Sequence, residues 1–119
     1  MLTFSFALFA CNTEADIVRD FIPGTYVQFS ENEMGRLNDT LLIDIISPSG
    51  HNYRIIRTSS IQRLLDGKAF PWEQRKEVWT GIYDKNKQVL NETKRGKVIS
   101  FVPERGILLV GTTEYKKIK

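Results

Sequence analysis

The single cysteine of this chain, Cys11, directly follows Leu8-Phe9-Ala10. An apolar run that closes on a small residue and then a cysteine is the pattern of a lipobox, where cleavage before the cysteine exposes an amino group beside a thiol and both become acylated. Leu2 to Ala10 is apolar except for Thr3 and Ser5, too short to cross a hydrocarbon core of ~30 Å as a helix but long enough for a signal-peptide apolar region. Asn12-Thr13-Glu14-Ala15-Asp16 then turns polar and acidic, as expected of a solvated tether. The expectation is a signal peptide over 1–10, a tether over 11–21 acylated at Cys11, for example with palmitate, and one folded domain over 22–119. With its thiol taken by lipid, the chain has none left for a disulfide, a metal or catalysis.

The remaining polar residues do not converge on a reaction. His51, the one histidine, sits in the turn-like stretch Ser49-Gly50-His51-Asn52, and a structural or catalytic zinc needs three or four ligands. No Gly-x-Ser-x-Gly frame surrounds any serine, and the glycines form neither a Walker A nor a dinucleotide fingerprint. Glu31 with Glu33, or Glu73 with Glu77, are acid pairs that no spacing rule selects for glycoside chemistry. The chain is therefore expected not to be an enzyme and to need no cofactor and no metal.

Binding chemistry is better represented. Lys94, Arg95 and Lys97 crowd one turn, while Arg54 and Arg57 fall on opposite faces of a regular strand, since successive side chains alternate. Phe70-Pro71-Trp72 places two large aromatics beside a residue that resists strand pairing. Phe70, Trp72, Lys94, Arg95 and Lys97 are accordingly the candidate contacts for a partner. Tyr26, Tyr53, Phe70, Trp72, Trp79, Tyr83 and Phe101 either line a cavity or fill a core, and at this chain length filling is the expectation. A net charge of +3 with interspersed signs suits solubility and does not suggest nucleic acid.

The elements that would position these residues are strands. Thr25–Ser30 is rich in β-formers after Pro23-Gly24, and Glu31–Arg36 reads as a loop or a helical turn. Thr40–Ile46 is so nearly continuous in apolar residues that cover on both faces is expected. Tyr53–Thr58 follows a Ser47-Pro48-Ser49-Gly50 turn, Ser59–Leu65 reads as a strand or irregular ribbon, and Asp66-Gly67 is a strong turn signal. Glu77–Tyr83, Val89–Thr93, Lys97–Val102, Ile107–Val110 and Glu114–Ile118 complete the series. Short strands separated by turn residues, about 110 residues long once the leader is removed, predict a single all-β domain: an antiparallel meander closed into a small barrel or a sandwich.

Gly24-Thr25-Tyr26 resembles the G-x-W opening of lipocalin-like barrels, with Tyr for Trp, and Tyr115-Lys116-Lys117-Ile118 is similar to their last strand. A longer likeness runs through Pro23-Gly24-Thr25-Tyr26-Val27, Asp39-Thr40-Leu41, Asp66-Gly67-Lys68, Trp79 to Asp84, Gly96 to Phe101, and Val110-Gly111 to Tyr115. These segments look like a group of small Bacteroidota lipoproteins often encoded near conjugative-transfer genes, for which no biochemical role is established. That resemblance implies a cell-envelope location and a mobile-element setting and carries no site residues; for the lipid anchor the outer membrane is expected in preference to the inner. The expected function is a monomeric, lipid-anchored interaction module with a protein partner. The alternative is a calycin-like carrier of a small apolar or amphipathic ligand.

Overall fold

The computed structural model describes residues 14–47 and 51–119. Cys11 and the Pro48-Ser49-Gly50 part of the predicted turn lie outside them. A short helix, α1 (Glu14–Phe21), precedes nine strands: β1 (Gly24–Asn32), β2 (Gly35–Ile45), β3 (Asn52–Leu65), β4 (Lys68–Ala69), β5 (Glu73–Asp84), β6 (Val89–Glu92), β7 (Val98–Val102), β8 (Ile107–Val110) and β9 (Thr113–Lys117). Every pairing is antiparallel, and the order β1-β2-β3-β5-β6-β7-β8-β9 returns to β1 through Tyr26↔Lys117 and Val27↔Lys116. The fold is a closed eight-stranded barrel with β4 as an extra strand, which decides between the predicted barrel and sandwich.

The barrel is lopsided. β6 to β9 are four or five residues long, whereas β1, β2, β3 and β5 have nine to fourteen. β1 pairs with β9 only at Tyr26 and Val27, and β5 meets β6 only from Gly81 to Asp84. Beyond those points the four long strands continue as an open sheet that stands off the barrel. Ser59–Leu65 is no separate ribbon but the outer half of β3, held between β2 and β5. Glu31–Arg36 is neither loop nor helix: β1 and β2 pair as far as Asn32↔Gly35, and only Glu33 and Met34 turn the chain. Asn32 Oδ1 accepts the Met34 and Gly35 amides at 2.8 and 3.2 Å, which closes this hairpin without help from residue propensity.

The second hairpin closes at Asp66-Gly67, both at positive φ (51° and 78°), the conformation of a type I′ turn. Phe70 pairs across from Arg63 and Glu73 from Ile61, so Pro71 and Trp72 together face the single residue Gln62. That is a β-bulge, and it lets proline sit where no ladder donor is required. Gln62 Nε2 donates to the Phe70 carbonyl at 3.1 Å and ties the bulge down.

Inside the barrel, side chains fill the space. Tyr26, Leu41, Ile43, Tyr53, Ile55, Leu90, Ile99 and Leu108 are buried, joined by Trp79, Tyr83, Phe101 and Tyr115. Five of the seven aromatic candidates thus form the core, and Phe70 and Trp72 stand outside it. Gly81 is required by this density, because a Cβ there would lie 2.9 Å from Leu90 Cγ. The outer face of β2 is open, against the expected two-sided cover: Leu42 and Ile46 are exposed, and Leu42 registers with Ile56 and Val78 in an apolar row across three strands.

One mouth of the barrel is plugged by α1. Val18, Phe21 and Ile22 share a face at helical spacing and pack on Tyr26 and Phe101, with Phe21 edge-on to both rings at 5.7 and 6.3 Å. Tyr26 Oη lies 2.8 and 2.9 Å from the Phe21 and Ile22 carbonyls, which the end of the helix leaves without partners. Most of the stretch expected as a solvated tether therefore belongs to the folded unit from Glu14 onward.

Candidate functional site

The opposite mouth, where the barrel opens into the extension, holds a buried ionic cluster. Asp39 comes from β2, Arg57 and Ser59 from β3, and Tyr115 from β9. Arg57 Nε donates to both Asp39 oxygens at 3.0 Å and its Nη2 to Oδ2 at 2.8 Å. Ser59 Oγ and Tyr115 Oη donate at 3.1 and 2.7 Å. Arg57 also faces Glu77 at 3.4 Å and stacks 5.8 Å from the Trp79 ring. The hydrogen bond to Asp39 raises Arg57 above its ordinary pKa, and burial, followed by that same carboxylate, raises the Tyr115 phenol. Both Asp39 oxygens are occupied, so the cluster's role is to cross-brace β2, β3 and β9 where the apolar core ends.

Beside it lies the predicted basic turn, which has an acid at its centre. Glu92, only 2% exposed, accepts the backbone amides of Lys94, Arg95 and Lys97 at 2.7, 2.9 and 3.4 Å. Burial by itself would raise its carboxyl; the three amides and the Lys97 charge outweigh that and hold it below its ordinary value. Lys97 Nζ sits 4.8 Å from the Trp79 ring centre, and Arg95 approaches Glu77 at 4.0 Å. Lys94 and Arg95 stay exposed at the edge of a recess of about 160 Å³ formed with Glu77, Val78, Trp79 and Glu92.

The far end of the extension exposes large apolar side chains among charged ones. A groove of about 630 Å³ runs between the two hairpin tips, with Met34, Leu64, Leu65, Phe70 and Pro71 among its walls. Met34 is 79% exposed, Leu65 62% and Phe70 45%. Trp72, 44% exposed, stands next to the groove but does not line it. The five candidate contacts thus divide into two groups, Phe70 and Trp72 at the tip and Lys94, Arg95 and Lys97 at the barrel rim, separated by roughly 25 Å of β5 at ~3.3 Å per residue.

Arg54 and Arg57 do point to opposite faces: Arg54 pairs outside with Asp44 at 3.6 Å, and Arg57 turns inward. Sequence reasoning missed Asp39 and Tyr115, which lie 76 positions apart; no local pattern links them, although a correct β2–β3 register would have placed Asp39 opposite Ser59. His51 is exposed, and its carbonyl accepts the Tyr83 amide at 2.7 Å. Among the described residues no group of three or more His, Cys, Asp or Glu side chains is arranged to hold a metal ion.

The fold and these two surfaces define the class: a filled antiparallel barrel, plugged at one end, that carries a four-stranded extension at the other. Comparison with protein-family models, curated proteins and solved structures finds no match to this chain.

Proposed function

We propose that this chain is a lipid-anchored module of the cell envelope that presents its extension to a protein partner, in the setting of a conjugative element. The observation that carries the reading is the division of the molecule: large side chains occupy the barrel interior, whereas exposed apolar surface gathers at the hairpin tips. The lipobox at Leu8 to Cys11 supplies the anchor, three residues ahead of α1. From Tyr53, in the core near α1, to Leu65 at the tip, β3 runs roughly 40 Å at ~3.3 Å per residue. An anchor on the α1 side thus leaves the groove on the far side of the molecule from the bilayer, placed to meet another protein.

A second reading is favoured by the groove itself, whose volume of about 630 Å³ suits a small apolar ligand held outside the barrel. Photo-crosslinkers placed at Trp72 and, as a control, at Ile82 on the outer barrel wall separate the two in native envelopes. A discrete protein adduct from Trp72 alone supports the module; a lipid-sized adduct there supports the carrier, and equal labelling from both sites removes the tip as the contact. Cys11→Ala is expected to release the protein from membranes and abolish labelling by a fatty-acid probe, and a membrane-bound Cys11→Ala protein overturns the anchor.

A further inference from the structure

The hydrogen-bond phase of the sheet exposes a strand-shaped vacancy. Tyr83 N donates to His51 O, which makes the odd residues of β5 the ones bonded to β3; Thr93 N donates to Thr80 O, which turns the even residues toward β6. β6 ends at Glu92 and its chain leaves through the Lys94–Lys97 turn. Gln74, Lys76 and Val78 therefore direct three N–H and three C=O groups into solvent along one edge, just where β6 would continue. The edge of β1 is shorter: its odd residues face β9, and beyond Val27 only Phe29 and Glu31 are left unpaired.

Charge selects the occupant of the β5 edge. Arg75 and Lys76 are exposed and have no ion-pair partner among the described residues. Lys94 and Arg95 stand at the barrel end of the same edge, and Glu77 is already engaged by Arg57 and Arg95. The recess of about 160 Å³ bounded by Val78, Trp79 and Lys94 closes that end and offers room for one side chain. We infer that β5 accepts an extended acidic segment of a partner protein as an added strand over Gln74–Val78, its carboxylates meeting Arg75, Lys76, Lys94 and Arg95. Main-chain pairing supplies affinity in such additions and the flanking side chains supply selectivity. The inference names a partner chemistry for the extension and so deepens the proposed module, but it needs neither the lipid nor the tip groove.

The test uses the full chain in detergent with three blocked peptides: a Glu-Glu-Val repeat, whose carboxylates reach both faces of the sheet, a Lys-Lys-Val repeat, and the acidic repeat N-methylated at every amide. Binding of the plain acidic peptide, with slowed amide exchange at Gln74, Lys76 and Val78, is the expected result. N-methylation is expected to weaken binding about tenfold or more, since it removes the donors that would face β5 whichever edge the peptide presents. Lys76→Pro deletes a β5 donor that β3 does not use, together with one of the four cations, and is expected to abolish binding with the β circular-dichroism spectrum retained. Should that variant misfold, Arg75→Glu with Lys76→Glu is expected to weaken binding about tenfold. The edge is overturned if the basic peptide binds equally, if N-methylation is without effect, or if the three amides become protected by protein concentration alone, which would make a second copy the occupant. Loss of peptide binding with Trp72 crosslinking intact removes this edge and leaves the proposed function; the reverse pattern leaves the edge and removes the tip contact.

Discussion

The two halves of β5 belong to different kinds of structure. From Thr80 to Tyr83 the strand has neighbours on both sides and shares with Trp79 a packed face in the closed barrel, whereas from Glu73 to Val78 it has one neighbour and mostly exposed side chains. Closure leaves no edge to defend, so the barrel part can be apolar inside and short in every strand. The extension keeps free edges and carries Glu73, Arg75, Lys76 and Glu77 along one of them, a charge density that discourages indiscriminate pairing while permitting a complementary strand. A substitution in the barrel should consequently be read in stability, and one in the extension in binding.

The largest effects should come from the barrel. Trp79→Ala removes a ring that is 5% exposed, stacked by Lys97 and Arg57, and should cost about 3 to 5 kcal/mol in urea unfolding. Asp39→Ala leaves Arg57 half-buried without its carboxylate and should cost a comparable 3 to 5 kcal/mol, about the loss found when one partner of a buried pair is removed. A loss under about 1 kcal/mol for either would mean that the barrel does not bear stability as described.

Glu92→Gln comes next, at about 2 kcal/mol, because a neutral amide is a weaker acceptor for three backbone donors. Its pH signature is specific. A carboxyl held below its ordinary value of 4.5 contributes stability above that pH, and the contribution disappears as pH falls through the folded value. Glu92→Gln should thus flatten the acid limb of the stability curve, and an unchanged limb would assign the acid loss to other carboxylates.

Tyr115→Phe should cost about 1.5 to 3 kcal/mol at neutral pH for the lost hydrogen bond to Asp39. Here the sign reverses. Burial first, and then the Asp39 bond, raise the folded phenol above its ordinary 10.0, so its contribution is complete below that pH and is lost as pH rises through the folded value. The variant should soften the fall in stability above pH 10.

The smallest stability change is expected in the extension. Trp72→Ala should shift stability by less than about 1 kcal/mol while weakening partner capture, since the exposed ring has little burial to lose. If it unfolds as readily as Trp79→Ala, the distinction between the two regions fails.

Much of this was legible because strand signals are local. The Asp66-Gly67 turn, the opposite faces of Arg54 and Arg57, the interruption at Phe70-Pro71-Trp72 and the structural role of Trp79 all follow from alternation and turn chemistry. Glu31–Arg36 was illegible for the converse reason: its residues have no strand preference, and the pairing of β1 with β2 and of β2 with β3 imposes one. In the tether, Val18, Phe21 and Ile22 look like scattered apolar residues until the barrel mouth gives them one surface to cover. The apolar outer face of Thr40–Ile46 suggested a second layer, but the cross-strand row of Leu42, Ile56 and Val78 accounts for it within one sheet.

By itself the sequence determined an all-β antiparallel chain with most of its strands, its main turns and its aromatic core, because side-chain period and turn preference act over a few residues. Tertiary structure alone decided that β1 meets β9, that Asp39 and Glu92 are buried acids, and that β5 outruns β6 to leave an unpaired edge. Those outcomes depend on pairing register and strand length across residues up to about ninety positions apart, where loop closure and packing select the partner and local pattern carries no information.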